Sequence, residues 1–278
     1  MHKIKIVADS SANITGSRIT EFDFAPMKII TKDREFVDDI SIDVKGMVEY
    51  FDTYKEKSQT SCPNTEDWLR AFGDSERIIC ITITSGLSGS YNSACVAKDI
   101  YESENPDREV YVIDSLSAGP ELQLIIEKAE ELISEGMEYS DICKRLSEYT
   151  KQTGLLFTLE SLKNFAANGR VSPAVAKIAG FLGIRVVGKA SDKGQLEPMN
   201  KCRGEEKALS AICSHLADMG LRKGKVRIAH CNNSAAAIEI KSRILSSFTT
   251  TDVEITECRG LCSYYAEKGG MLVAFEKM

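Results

Sequence analysis

Between residues 85 and 90 the chain reads Ser-Gly-Leu-Ser-Gly-Ser, directly after the apolar run 77–84 and directly before a helical pattern. Hydroxyls supply neutral hydrogen-bond donors, and glycine lets backbone N–H groups approach a ligand closely. A helix starting near Ser90 adds free N–H groups and the positive end of its dipole. Together these suit a carboxylate or a phosphate. Three further polar clusters share this character: Asp9, Ser10 and Ser11 after the first apolar run; Thr60, Ser61 and Pro63 just before a helical pattern; and Asp114 with Ser115 after a third run. Each has a plain explanation alone, since Thr60, Ser61 or Ser88 would serve as a helix N-cap. In open α/β sheets, however, ligands sit at the carboxyl ends of strands. Three of the four clusters are expected there, and their combination points to an anion site.

The elements that position these clusters follow from periodicity. Residues 3–9, 77–84 and 109–115 are apolar runs with few polar interruptions, expected as strands covered on both faces. Helices are predicted over 44–57, 64–73, 89–103 and 118–135. Strand–helix alternation implies a mainly parallel sheet covered by helices. A second set begins near residue 153: a strand, two short helices broken at Asn168-Gly169, and a hairpin around Asp192-Lys193-Gly194. Helix 203–220, strand 225–231, helix 233–246 and strands at 252–258 and 270–277 complete it. The expected organisation is two α/β domains, 1–152 and 153–278, with the ligand site between them.

Composition narrows the function. At 278 residues the chain is long for a single core. A formal net charge of −6 and the absence of a basic stripe argue against nucleic acid as a partner. No apolar run approaches the ~20 residues of a membrane helix, so no integral membrane association is expected. The opening residues run straight into a strand pattern, so no secretory leader is expected. Nine scattered cysteines, without zinc or C-x-x-C spacing, read as reduced core thiols of a cytoplasmic protein. No metal and no cofactor are implied.

Two other chemistries remain. Residues 86–90, Gly-Leu-Ser-Gly-Ser, stand one glycine short of a hydrolase nucleophile elbow, and Ser88, Asp114 and His230 follow in hydrolase chain order. This makes a Ser88-dependent lipid ester hydrolase the alternative reading, with a packed histidine as the plain explanation of His230. Basic spots at 168–172 and 201–204, carrying Arg170 and Arg203, are solvated surface or a docking face for an acidic or phosphate-bearing partner.

Taken in order, these segments resemble the DegV family of bacterial fatty-acid-binding proteins over nearly the whole chain. VADSSANIT is similar to its opening Asp-Ser-Ser motif, TSCPNTEDWLRAF to its Thr-Ser-x-Pro-Ser box and TSGLSGSYNSA to its Ser-x-Leu-Ser-Gly-Thr-Tyr box. VIDSLSAG resembles its Ile-Asp-Ser segment, residues 159–187 its Leu-x-x-Leu…Gly-Gly-Arg-Ile segment, and KCRG its Lys-x-Arg-Gly. The resemblance implies a long-chain fatty acid, palmitate for example, buried between two domains. Its carboxylate would be held by Thr60, Ser61, Ser88, Gly89 and Ser90, with Ser10, Ser11 and Tyr265 as further pocket residues. It implies a carrier with no catalytic residues of its own, presenting the carboxylate to a fatty-acid kinase for acyl-phosphate formation, with Arg170 and Arg203 as docking residues. The chain departs from the family at Asn64, at Ser90, in GIRVVG, and at Tyr265, where the family usually has His. A tyrosine still donates a hydrogen bond.

Overall fold

The computed structural model describes residues 3–17, 19–172, 175 and 183–277. The first half is built on a four-stranded sheet, all parallel: β1 (Ile4–Asp9), β2 (Glu21–Ala25), β6 (Arg77–Thr82) and β7 (Glu109–Asp114), in the order β2-β1-β6-β7. Every residue of β1 is buried, as expected for a strand covered on both faces. Helices α2 (Thr65–Phe72) and α3 (Ser90–Glu104) pack beside it, with Trp68, Phe72, Ala94 and Tyr101 in one apolar cluster. Helix α2 starts at a capping box of Asn64 and Asp67, which leaves Thr60 and Ser61 outside the helix. They belong instead to the short strand β5 (Gln59–Ser61), so neither is an N-cap.

Strand β5 pairs antiparallel with β3 (Lys28–Ile30), which also pairs with β4 (Glu35–Val37). With α1 (Val44–Thr53), this small sheet shares a core with Phe157, Leu159, Val186 and Tyr264 of the second half. It therefore bridges the two halves, although its residues precede 152.

The second half carries a six-stranded mixed sheet in the order β10-β9-β8-β13-β11-β12. Its strands are β8 (Thr153–Leu159), β9 (Ile184–Ala190), β10 (Leu196–Arg203), β11 (Val226–His230), β12 (Val253–Glu257) and β13 (Met271–Glu276). All neighbours are antiparallel except β11 and β12. β9 and β10 form the expected hairpin, closed by Gly194 N donating to Ser191 O at 2.8 Å with Gly194 at φ +67°. Helices α7 (Glu205–Asp218) and α8 (Ser234–Ser247) cover one face. α6 (Lys163–Ala167) and α9 (Gly260–Ala266) stand near the junction with the first half. The second of the two short helices expected between 153 and 183 falls mainly on 173–182, outside the described residues.

Helix α4 (Pro120–Ser134) joins the halves. Its consecutive residues Pro120–Ile126 are all buried, the pattern of a helix enclosed on every side. With α5 (Tyr139–Tyr149) it fills a core that takes Ile4, Ile6, Ile79 and Ile81 from one sheet and Leu155 and Ala274 from the other. Polar links reinforce this. Buried Glu121 accepts from Ser117 Oγ and from Thr153 Oγ1 at 2.7 Å, and Arg227 is paired with Glu127 of α4 at 2.7 Å. Replacing Ile125, fully buried on α4, with Ala is expected to cost about 2–5 kcal/mol. Because the helix packs against both sheets in one shared core, chemical denaturation should show both halves losing that stability in one transition.

Candidate functional site

The parallel sheet reverses its direction of growth between β1 and β6, which places a crevice beyond their carboxyl ends. Asp9 sits there, fully buried. Its Oδ1 accepts from Ser11 N at 3.2 Å and Ser11 Oγ at 2.5 Å. Its Oδ2 accepts from Ile83 N at 2.8 Å and Ser90 Oγ at 2.6 Å. Burial pushes this carboxyl above its ordinary value, outweighing the opposite pull of the four hydrogen bonds. One side chain thus ties the loop after β1, the loop after β6 and the first turn of α3 together. The second loop is also held in its middle, because Asp114 Oδ1 accepts from Ser85 N and Thr84 Oγ1 accepts from Gly86 N, both at 3.0 Å. Held this way, Ser88 and Gly89 face a cavity.

That cavity, about 290 Å³, lies between the halves. Strand periodicity sets its far wall: Leu155, Phe157 and Leu159 alternate on one face of β8, with Leu272 beside them on β13. Met27, Ile83 and Leu261 close the near side, packed as one cluster. The polar corner is small. Thr60 Oγ1 and Tyr265 OH are 2.7 Å apart, and the Phe165 ring lies 4.5 Å from that of Tyr265. Burial pushes the Tyr265 phenol up, so it stays a neutral donor at physiological pH. Asn168 sets the height of β5, its Oδ1 accepting from Thr60 N at 3.1 Å and its Nδ2 donating to Tyr264 OH at 2.9 Å. Beyond Ser88 and Gly89 the cavity meets an open groove of about 780 Å³, and Arg170 lines both.

Thr60, Ser61, Ser88, Gly89 and Tyr265 are brought together on the cavity lining. Ser61 Oγ donates to Cys62 O at 3.1 Å, and Ser88 Oγ accepts from Ser90 N at 3.2 Å. Ser10, Ser11 and Ser90 are not on that lining. Ser90 has both donors engaged, its N–H by Ser88 and its hydroxyl by Asp9. Ser11 is bound to Asp9, and Ser10 Oγ accepts from Met27 N at 3.0 Å. These three buried serines hold the loops in place instead of facing a ligand. Arg170, expected as solvated surface or a docking residue, lines the groove together with Ser88 and Gly89. Arg203 is exposed at the end of β10, off the cavity. The hydrolase arrangement is not assembled. His230 is buried at the end of β11 with its Nδ1 accepting from Asn233 N at 3.3 Å, Asp114 accepts backbone N–H groups, and neither lines the cavity with Ser88. Asn168 and Thr84 are site residues that composition alone does not reveal.

Among the described residues, no group of three or more His, Cys, Asp or Glu is placed to hold a metal ion, and no helix is long and apolar enough to cross a membrane. The family model described as "Uncharacterised protein, DegV family" matches residues 3–277. A DegV domain-containing protein of Streptococcus pneumoniae (strain ATCC BAA-255 / R6) is 40% identical over 276 residues, covering 98% of each chain. A DegV family protein from Eubacterium eligens, solved loaded with heptadecanoic acid, shares the fold with a TM-score of 0.97 at 42% identity, over 99% of this chain and 100% of its own. The Fatty Acid Kinase (Fak) B3 protein of Streptococcus pneumoniae, solved with linoleic acid, gives 0.96 at 39% identity, over 99% of this chain and 100% of its own.

The raised Asp9 carboxyl has a measurable sign. Above its ordinary 3.8 and up to its folded value, the native protein keeps a proton that the unfolded chain has released. Its titration therefore lowers stability as pH rises through that window and contributes nothing further above it. Asp9→Asn removes this slope, and it leaves donors of Ile83, Ser11 or Ser90 without an acceptor, at a cost of about 1–3 kcal/mol. Denaturation of both proteins across pH should show wild type losing stability relative to Asp9→Asn as pH rises through that window. A difference independent of pH would contradict the assignment.

Proposed function

The chain belongs to the DegV family, and on that premise we propose that it binds a long-chain fatty acid in the cavity between its halves and presents the carboxylate to a fatty-acid kinase in the bacterial cytoplasm. One observation carries the reading: an apolar cavity has on its lining a corner of neutral donors, Thr60, Tyr265, Ser88 and the Gly89 backbone. An acyl chain would lie against Leu155, Phe157 and Leu159, and its carboxylate would take the hydroxyls. Each buried methylene is worth ~0.8 kcal/mol, so a dozen give roughly 10 kcal/mol before association costs. A neutral hydrogen bond adds only ~1 kcal/mol. The tail then supplies affinity, and the hydroxyls supply orientation.

Presentation follows from the position of the corner. It borders the open groove, and Arg170 stands on both linings, where a carboxylate and an approaching phosphoryl group would meet. Arg203 would serve the outer contact. The pneumococcal relative, by its own description a fatty-acid kinase B3 protein, and the fatty acids held by both solved relatives support this reading. The chain itself would act as a carrier.

Protein purified without delipidation should release long-chain fatty acid to mass spectrometry, and stripped protein should bind palmitate or oleate. Failure of both tests would overturn the proposal. Ser88→Ala should weaken fatty-acid binding by ~1–3 kcal/mol, roughly five- to 150-fold, with Thr60→Ala weakening it further. Wild-type esterase activity that vanishes in Ser88→Ala would favour the hydrolase instead. Arg203→Ala should leave lipid affinity near normal while slowing kinase-dependent turnover, and Arg170→Ala, on the cavity lining, should slow turnover more than it weakens lipid binding.

A further inference from the structure

We propose that Gly188 determines the shape of acyl chain this cavity accepts, by leaving room on the sheet for the ring of Phe157. The inference rests on the fatty-acid reading above. Gly188 and Phe157 are direct partners across β8 and β9, so both face the cavity side of the sheet. A Cβ on Gly188 would stand 2.5 Å from Phe157 Cζ, 2.9 Å from Cε2 and 2.5 Å from Glu197 O. The ring and the Glu197 carbonyl together occupy the space a side chain would fill. Gly188 is absent from the positive-φ glycines, so its backbone does not call for glycine. A glycine inside a strand weakens it, which makes a space requirement the remaining physical reason for one here.

The ring lies between Leu155 and Leu159 on the cavity wall. Leu155 and Leu159 flank Phe157 along β8, each ~6.6 Å away at the rise of a strand. Leu272, its partner on β13, lines the same cavity. Phe157 is 5% exposed and packed among neighbours, so a ring displaced from Gly188 has the cavity to move into. The cavity would then narrow midway along the acyl chain. A straight saturated chain has the smallest cross-section. A chain with a central cis double bond bends and needs width at its middle. Gly188 thus keeps the cavity open to bent chains, and Phe157 sets the limit.

The test is the ratio of dissociation constants for oleate and stearate, acids of equal length that differ in one cis double bond. It is measured on wild type, Gly188→Ala and Phe157→Leu, with thermal unfolding confirming that each is folded. Gly188→Ala should raise the oleate-to-stearate ratio by roughly tenfold, the size of effect a methylene-scale misfit has in an apolar pocket. Phe157→Leu, which removes ring atoms without touching the Glu197 carbonyl, should lower the ratio. If Gly188→Ala does not fold, the Phe157→Leu ratio decides alone. Ratios unchanged in folded variants would overturn the inference while leaving fatty-acid binding intact. A wild type that binds neither acid would overturn the fatty-acid reading and this inference with it.

Discussion

The hydrogen bonds around the buried Asp9 carboxylate hold the site in its geometry. Asp9 closes β1, and its four donors come from its own loop, from the loop after β6 and from the first turn of α3. A buried carboxyl is costly unless its acceptor sites are filled. The chain satisfies that cost only when the two loops lie side by side, so the crevice between β1 and β6 has a single arrangement. Ser88 and Gly89 face the cavity because Ser90, immediately after them, is held by Asp9. Asp38 repeats the device across the junction. Its carboxyl, also pushed up by burial, accepts from Gly260 N at 3.0 Å and Leu261 N at 2.9 Å. This fixes the start of α9, the helix that delivers Tyr265 to Thr60.

The cavity exists because the two halves share elements. α4 is enclosed between the large sheets, and the small sheet β4-β3-β5 packs its core on the second half. Thr60, early in the chain, and Tyr265, late in it, meet across that seam. Apolar side chains from β8 and β13 then line a space that neither half encloses alone. Close packing elsewhere in the seam preserves this geometry: a side chain on Gly194, at the hairpin tip, would collide with Thr84 on the facing loop.

Much of this was legible in the residues, and the gaps have physical reasons. The fully buried strands of the first sheet carry long apolar runs, so β1, β6 and β7 stand out. Strands β3, β4 and β5 are three residues each, too short for a period of two to register, and β5 reads Gln-Thr-Ser, a loop by composition. Helix α5 has apolar residues at Tyr139, Ile142, Cys143, Leu146 and Tyr149, yet its N-cap is Glu138 without a side-chain capping bond, so its start carries no signal. For the site, a hydroxyl that faces the cavity and one that serves a buried carboxylate are the same letter. Ser88 and Ser90 differ only in which way the loop points them, and that direction is set by Asp9, 81 residues away from Ser90 in sequence.

On the proposed function, neutral donors at the head of the cavity would have a consequence for transfer chemistry. A buried guanidinium would bind a carboxylate more strongly, but it would also stabilise the charge on the oxygen that must attack. Thr60, Ser88 and the neutral Tyr265 phenol would orient the group while leaving more of that charge available. Arg170 is exposed at the groove, where solvent screens its field, so it would act weakly on a carboxylate resting there. Under that reading its field would strengthen once a kinase covered the groove and excluded water. Under the proposed function the arrangement would separate two demands: the apolar wall would retain the ligand, and the charged residue would gain influence only when the kinase arrived.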